Sequence, residues 1–413
     1  MRAMGIALLF VTFLVLPLGS MAQSGGSLCS RDLSVQFQSD LDGISSCQTF
    51  TGTITIANTS LTSITLTGVQ LVNGNLLLSN NLAAGHISFP SLQGVTGQLS
   101  FMNHNVLSTL NMPAFTGVDS FSISVAPALN ALAFPQGLNQ VNNIQITDTF
   151  ITNLAGLNFS TVGTILVSDN LYLKRVNLPN LQQMKGMFYV TANGQGSIDV
   201  EAPNLTTFNN GTFRNVGTLN IPFLNLVEGD MSFNQNLFQS LTFESLSHIG
   251  GTLTIIDNTQ LNNITFSSLT SLGGALSIAN NTELHSITGF PQLREVDGTV
   301  DITGGFDTFQ LPAINDIRGS MNVQTTSTHL QCLSIDQWQK GVVKGNGYTC
   351  KSGVTTPKTG KGQPGVGTGS GTGVAESAAV RLTGATMGGK VGRSASWPLL
   401  ALAAVSIGIS VVV

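Results

Sequence analysis

The sequence predicts an all-β fold, a right-handed parallel β-helix or leucine-rich-like solenoid of about 13 coils, and three observations carry that reading. Short apolar runs alternate with period 2, as in Leu253/Ile255 and Ile264/Phe266, so each run turns one face inward as a strand does. None of these runs is long enough for a helix. A glycine or small polar residue opens such a run again and again, at Gly52, Gly74, Gly97, Ser120, Asn143, Gly163, Gly186, Gly211, Gly229, Gly251, Gly274, Gly298 and Gly319. The 267 residues from Gly52 to Gly319 fall into twelve steps averaging about 22 residues. Finally, asparagines recur just after the first strand, at Asn58, Asn80, Asn103, Asn170, Asn258 and Asn280, where a polar residue tolerates a left-handed turn.

Each element then has its own justification. First-strand pairs such as Ile54/Ile56, Leu76/Leu78 and Leu276/Ile278 are expected on one inner face, and second-strand pairs such as Ile64/Leu66, Ile87/Phe89 and Leu110/Met112 on another. One coil cannot bury its own apolar face, so the copies must stack, about 4.8 Å apart, into a stack roughly 60 Å long. The recurring asparagines are expected to bond the backbone of neighbouring coils, a structural ladder rather than a row of ligand contacts. Pro90, Pro113, Pro135, Pro179, Pro203 and Pro291 are expected to end second strands, where a missing N–H is tolerable. The segments LTSITL at Leu61 and LNNITF at Leu261 carry the leucine spacing of a horseshoe repeat, but a strand replaces its helix. The steps that fit the period worst surround Ser120, Asn143 and Gly211.

Both ends of a strand stack need covers, because an end coil shows an open apolar face and unpaired edges. Residues 23–50 read as an N-terminal cap, with a short helix capped by Ser39, and residues 331–350 as a C-terminal cap, with Ser334 and Gln337 spaced as a capping box. The solenoid occupies residues 51–330 between them. Cys29 and Cys47 fall in the first cap, Cys332 and Cys350 in the second, with 18 residues separating each pair. Of three connectivities, only pairing within each cap suits a long stack, and each closed loop then stabilises by about 3 kcal/mol in the chain-entropy model. No Cys-x-x-Cys or nearby His pair points to a metal instead.

The flanks read as processing signals. Arg2, an apolar run over residues 6–16, Pro17 and the small residues before Gln23 make residues 1–22 a secretory signal peptide. Residues 351–384, rich in Gly, Thr, Ser and Pro, read as a flexible stalk. Small residues at Gly384-Ala385-Thr386, a polar spacer and the apolar tail over 397–413 form a glycosylphosphatidylinositol (GPI) attachment signal, with Gly384 as the first choice of attachment residue, Gly388 and Ser377 as alternatives, and residues 385–413 as the removed propeptide. The predicted location is thus the outer face of the plasma membrane and the cell wall. Sequons at Asn58, Asn158, Asn204, Asn210, Asn263 and Asn280 offer N-glycosylation sites to a chain with only 9% charged residues. A net charge of -4 over 413 residues gives no reason to expect a nucleic-acid partner.

Chemistry is sparse. Hydrolysis of a polysaccharide needs carboxylates converging on one site, and the candidate pairs are Asp199 with Glu201 and Asp297 with Asp301. Neither has a histidine or a basic cluster beside it in sequence. His86, His104, His248, His285 and His329 scatter over different coils and read as surface or turn residues. Phosphate loops and nucleophile elbows are missing, and no cofactor is expected. Exposed aromatics that could stack on sugar rings reduce to Tyr172 and Tyr189.

Taken together, QSDLDGISSCQTFTGTITI at the first cap, the repeated GxLxI and NNxxLxxI segments and the CLSIDQWQK cap resemble the fungal GPI-anchored cell-wall organisation proteins. Their ectodomains are similar to the receptor L domains of insulin- and epidermal-growth-factor-type receptors. The resemblance covers Cys29 to Cys350 and both processing signals. It implies a non-catalytic mannoprotein needed for wall integrity, tied to the membrane through its GPI lipid, with wall glucan or other wall mannoproteins as partners. A β-helical glycan-binding or glycan-remodelling enzyme is the alternative.

Overall fold

The computed structural model describes residues 28–359. The signal peptide, most of the stalk, the attachment residue Gly384 and the propeptide lie outside the described residues. Within them every named strand pairing is parallel, and inward residues of successive coils stand in register: Ile54 on Leu76, Leu76 on Leu99, Leu99 on Phe121, and so on to Val300 on Met321. Thirteen coils follow, as expected. Their register shows that the coils assigned to Ser120, Asn143 and Gly211 open one or two residues earlier, at Asp119, Asn142 and Asn209. At Gly211 the inward position has no side chain. The Phe208 ring fills that space, 2.7 Å from where a Cβ would stand, and packs on Phe188 and Phe213.

Each coil has three faces rather than two. Face A collects the first strands and the cap strands, and face B the second strands. Face C, unforeseen, includes an eight-stranded ladder of two-residue strands from Thr161–Val162 to Asp316–Ile317. Each contributes one inward residue, such as Val162, Val227 or Leu272, too short a run to show a period. The inward residues of all three faces merge into one continuous apolar core running the length of the stack.

Glycine opens coils because successive backbones approach closely there. A Cβ on Gly274 would lie 2.6 Å from the Gly251 carbonyl carbon, and one on Gly319 2.5 Å from Gly298. Any side chain would force the coils apart.

The caps extend face A. Strand Leu33–Val35 pairs with Ile54–Ile56, and the helix Gln38–Asp42 buries Leu41 against the first coil. This helix starts one residue before the expected cap Ser39. Asp40 does the capping, its Oδ2 accepting from the N–H groups of Gln36 and Phe37 at 2.8 Å each, and these bonds lower its pKa. At the other end, Tyr348–Lys351 pairs with Met321–Gln324, and Trp338 sets its ring edge-on to Phe309. The capping box does not form: Ser334 Oγ donates to Gln331 O, and Gln337 Nε2 to Ser334 O. Both disulfides join as expected, Cys29 to Cys47 and Cys332 to Cys350, with Cα separations of 5.6 and 5.8 Å. Past the second cap, Gly353 and Val354 donate their N–H groups to Ser327 and Thr325, so the chain runs back along the last coil.

Candidate functional site

The recurring asparagines occupy two columns with different work. Asn58, Asn80, Asn103 and Asn280 stand at the exposed corner between faces A and B, with φ between 54° and 57°. In the coils between, Val125, Asp148, Asp169, Ala192, Asn215, Gln235 and Asp257 adopt the same left-handed conformation. Asn170 and Asn258 belong to the next position, which points inward and is buried, together with Asn81, Asn193, Asn236 and Asn281. There the expected ladder exists in full detail. The Asn258 Oδ1 accepts from the Asn236 N–H at 2.9 Å and its Nδ2 donates to Phe233 O at 3.1 Å. Asn281 repeats this one coil on, to Asn258 N at 2.9 Å and Ile255 O at 2.9 Å. These amides replace water as partners for backbone groups left unpaired where face A bends into face B.

His104 sits in the same inner column, fully buried, which corrects its reading as a surface residue. Its Nε2 lies 3.3 Å from Asn81 Nδ2, its ring is edge-on to Phe101, and Nδ1 has no partner. Burial, which disfavours the imidazolium, lowers its pKa to about 4. The other four histidines are spread over faces B and C and the last turns; His248 meets Ser271 at 2.7 Å and His329 meets Asp307 at 3.1 Å. Hydrogen bonds from Ser327 and His329 hold Asp307 below the ordinary carboxylate range.

The carboxylate pairs do not meet. Asp199 and Glu201 share the outer side of face B, as the even spacing required. Thr218 Oγ1 donates to Asp199 Oδ1 at 2.6 Å, and Arg175 Nε stands 3.7 Å from Glu201. Asp297 and Asp301 lie five coils further on, near the junction of faces C and A, so roughly 24 Å separates the two pairs along the axis. Asp297 pairs with Arg318 at 2.9 Å and Asp301 accepts from Asn322 Nδ2 at 2.7 Å. Arg318 also contacts Glu295 and Asp316, and these carboxylates, Asp297 foremost, raise its pKa. Among the described residues no group of three or more His, Cys, Asp or Glu is placed to hold a metal ion.

The outer surface is where the remaining candidates stand. The sequon asparagines Asn58, Asn158, Asn204, Asn263 and Asn280 are exposed. Asn210 is half-buried, with Nδ2 donating to Asn209 at 2.8 Å and Oδ1 accepting from the Asp230 N–H at 2.8 Å. Tyr172 is partly exposed and meets Phe150 of the preceding coil edge-on at 5.1 Å, while Tyr189 is half-buried on face A. Among the described residues one open recess of about 480 Å³ lies on the face C side of early coils, beside Leu71, Gly94, Gly117 and Gln140. The sequence reading missed it. Its one signal is a pair of glycines, Gly94 and Gly117, that open no coil.

No family profile and no solved structure matches the chain. Curated relatives do. It is 33% identical over 336 residues to a cell surface GPI-anchored protein of Arthroderma benhamiae, spanning 80% of this chain and 85% of the relative. Protein ecm33 of Aspergillus fumigatus is 32% identical, over 82% of this chain and 84% of its own length. The cell wall protein ecm33 of Schizosaccharomyces pombe is 30% identical, over 81% and 79%. With the coil period, the disulfide-closed caps and these matches over four fifths of its length, the chain belongs to the ecm33 family of fungal GPI-anchored proteins of the cell surface and cell wall.

Proposed function

We propose that this chain is a non-catalytic surface glycoprotein that supports the organisation and integrity of the fungal wall, anchored through a GPI lipid at Gly384. The carrying observation is how the polar side chains are spent. The buried amides bond backbone between coils, and the four candidate carboxylates form two pairs on separate faces, each engaged by hydrogen bonds or cations. Glycoside hydrolysis requires an acid and a base across one bond, and this arrangement offers only scaffold. Glycans on the exposed sequons supply the solvation that 9% charge does not. Wall glucan or neighbouring mannoproteins are the partners this reading assigns to the outer faces.

The test is complementation. A deletion strain should become sensitive to wall-binding dyes. A quadruple variant, Asp199→Asn, Glu201→Gln, Asp297→Asn, Asp301→Asn, should restore resistance as well as the natural chain. A folded, surface-located variant that fails to restore it would reinstate the glycan-remodelling enzyme. Mass spectrometry of the mature C-terminal peptide should find the lipid-glycan remnant on Gly384.

A further inference from the structure

On the outer side of face C one column of positions runs Thr49, Leu71, Gly94, Gly117 and Gln140 in successive coils. Two consecutive coils therefore present no side chain, and a trough opens between Leu71 and Gln140. Three coil steps make it about 14 Å long, parallel to the axis. Gln70, Gln93 and Thr116 line it, and recesses of about 370 and 330 Å³ continue it on either side, sharing Gln93 and Thr116 with the first and Gln140 with the second.

Packing does not demand the second of these glycines, Gly117. At Gly74 a Cβ would fall 2.1 Å from the Gly52 carbonyl oxygen, so that glycine is obligatory. At Gly117 the nearest atom to such a Cβ is 3.6 Å away, ordinary contact, whereas at Gly94 the Gly117 carbonyl oxygen would stand 3.3 Å from it, a tight contact with backbone. Neither has the positive φ that favours glycine. Glycine within a strand costs about 0.5–1 kcal/mol relative to alanine and marks a bulge or the close approach of another backbone or a ligand; the register of these two strands shifts just past the glycines, between Val118 and Ser120, and the trough lies open beside that shift.

The surroundings specify the ligand. Between Asp42 and Asp119 the chain holds no Lys, Arg, Asp or Glu, and no sequon lies between those at Asn58 and Asn158. Asp119 is the only charged side chain that lines the trough itself, and Lys185 lines the recess beyond Gln140. Glutamine amides both donate and accept, as vicinal hydroxyls require, while Leu71 offers an apolar contact. We propose that the trough between Leu71 and Gln140 binds a neutral polysaccharide chain lying along the solenoid axis. This deepens the wall-surface reading and rests on it only for the source of the polymer.

The full-length mature protein, extracted in detergent with its glycans, is sedimented with insoluble β-glucan, with chitin, with mannan-coated beads and with beads carrying an acidic polyuronate. Retention on at least one neutral polymer and none on the polyuronate is expected. Gly117→Leu, which fills the trough without backbone strain, should lower that retention tenfold or more at an unchanged melting temperature. The pair Gln93→Ala, Gln140→Ala should lower it several-fold, and Thr254→Leu on distant face A should not. Equal retention by Gly117→Leu and the natural chain overturns the proposal. So does retention on the polyuronate alone, or a dimer in sedimentation velocity that Gly117→Leu abolishes while no polymer binds. A wall defect on deletion without polymer binding would sink the trough and leave the wall reading standing; binding without a wall defect would do the reverse.

Discussion

Replacing Asn258 by leucine keeps nearly the volume of the side chain and removes its hydrogen-bonding groups. Four bonds go: to the Asn236 N–H (2.9 Å), the Asn236 Nδ2 (2.9 Å), Phe233 O (3.1 Å) and the Asn281 Oδ1 (3.1 Å). Asn236 Nδ2 keeps Phe213 O, and Asn281 Oδ1 keeps the residue 258 N–H, so the uncompensated losses are one backbone N–H and one backbone carbonyl. A buried polar group left without its partner costs about 1–3 kcal/mol, so the loss of two should destabilise by about 2–6 kcal/mol. Because a solenoid couples nearest neighbours, the damage should centre on the coils of Asn236 and Asn258. Hydrogen exchange reads this directly: the Asn236 amide should lose protection by two orders of magnitude or more, with coils near the N-terminal cap unchanged. Asn258→Ala serves as a second variant in case leucine overfills the site. Asn280→Gly, at the exposed corner where φ is 54°, should stay within about 0.5 kcal/mol of the natural chain. Unchanged protection at Asn236 in both Asn258 variants would refute the ladder as a source of stability.

His104 should make stability depend on pH. Its folded-state pKa, about 4, lies below its ordinary 6.5, so between those values the unfolded chain binds more protons and stability falls as pH falls. The loss should begin near pH 6.5, reach about 3 kcal/mol near pH 4 and then level off, and His104→Asn should remove it in urea titrations across that range. Cys332→Ser with Cys350→Ser should cost about 3 kcal/mol and raise exchange first at Met321–Thr325, the strand the cap covers. Peptide mapping after glycosidase treatment should find Asn210 the least occupied sequon, since both atoms of its amide are engaged; full occupancy there with an empty Asn58 would contradict that ranking.

How legible the molecule was depended on the range of the forces involved. Leu253/Ile255 and Ile264/Phe266 face inward because side chains alternate along a strand, and that alternation lies within four residues of chain. Face C escaped notice because strands such as Ser271–Leu272 hold one inward residue each. The asparagine row was found but mixed two columns, since Asn58 and Asn80 lie at the turn whereas Asn170 and Asn258 lie one residue past it. A single residue's offset decides between solvent and core. Ser39 lost its capping role to Asp40, whose carboxylate reaches two backbone amides at once.

By itself, then, the sequence determined the repeat and its period, the need for two caps, and the placing of a cysteine pair in each, because all of these follow from local alternation and from the inability of one coil to bury its own face. Only the tertiary structure decided which asparagine turns inward, which glycines are forced by a neighbouring backbone, and that Gly94 and Gly117 open a trough. Those outcomes depend on atoms about 20–24 residues apart brought within a few ångströms by stacking, as Gly94 is on Gly117. The repeat period reveals that coils stack, but not which side chains meet across the stack.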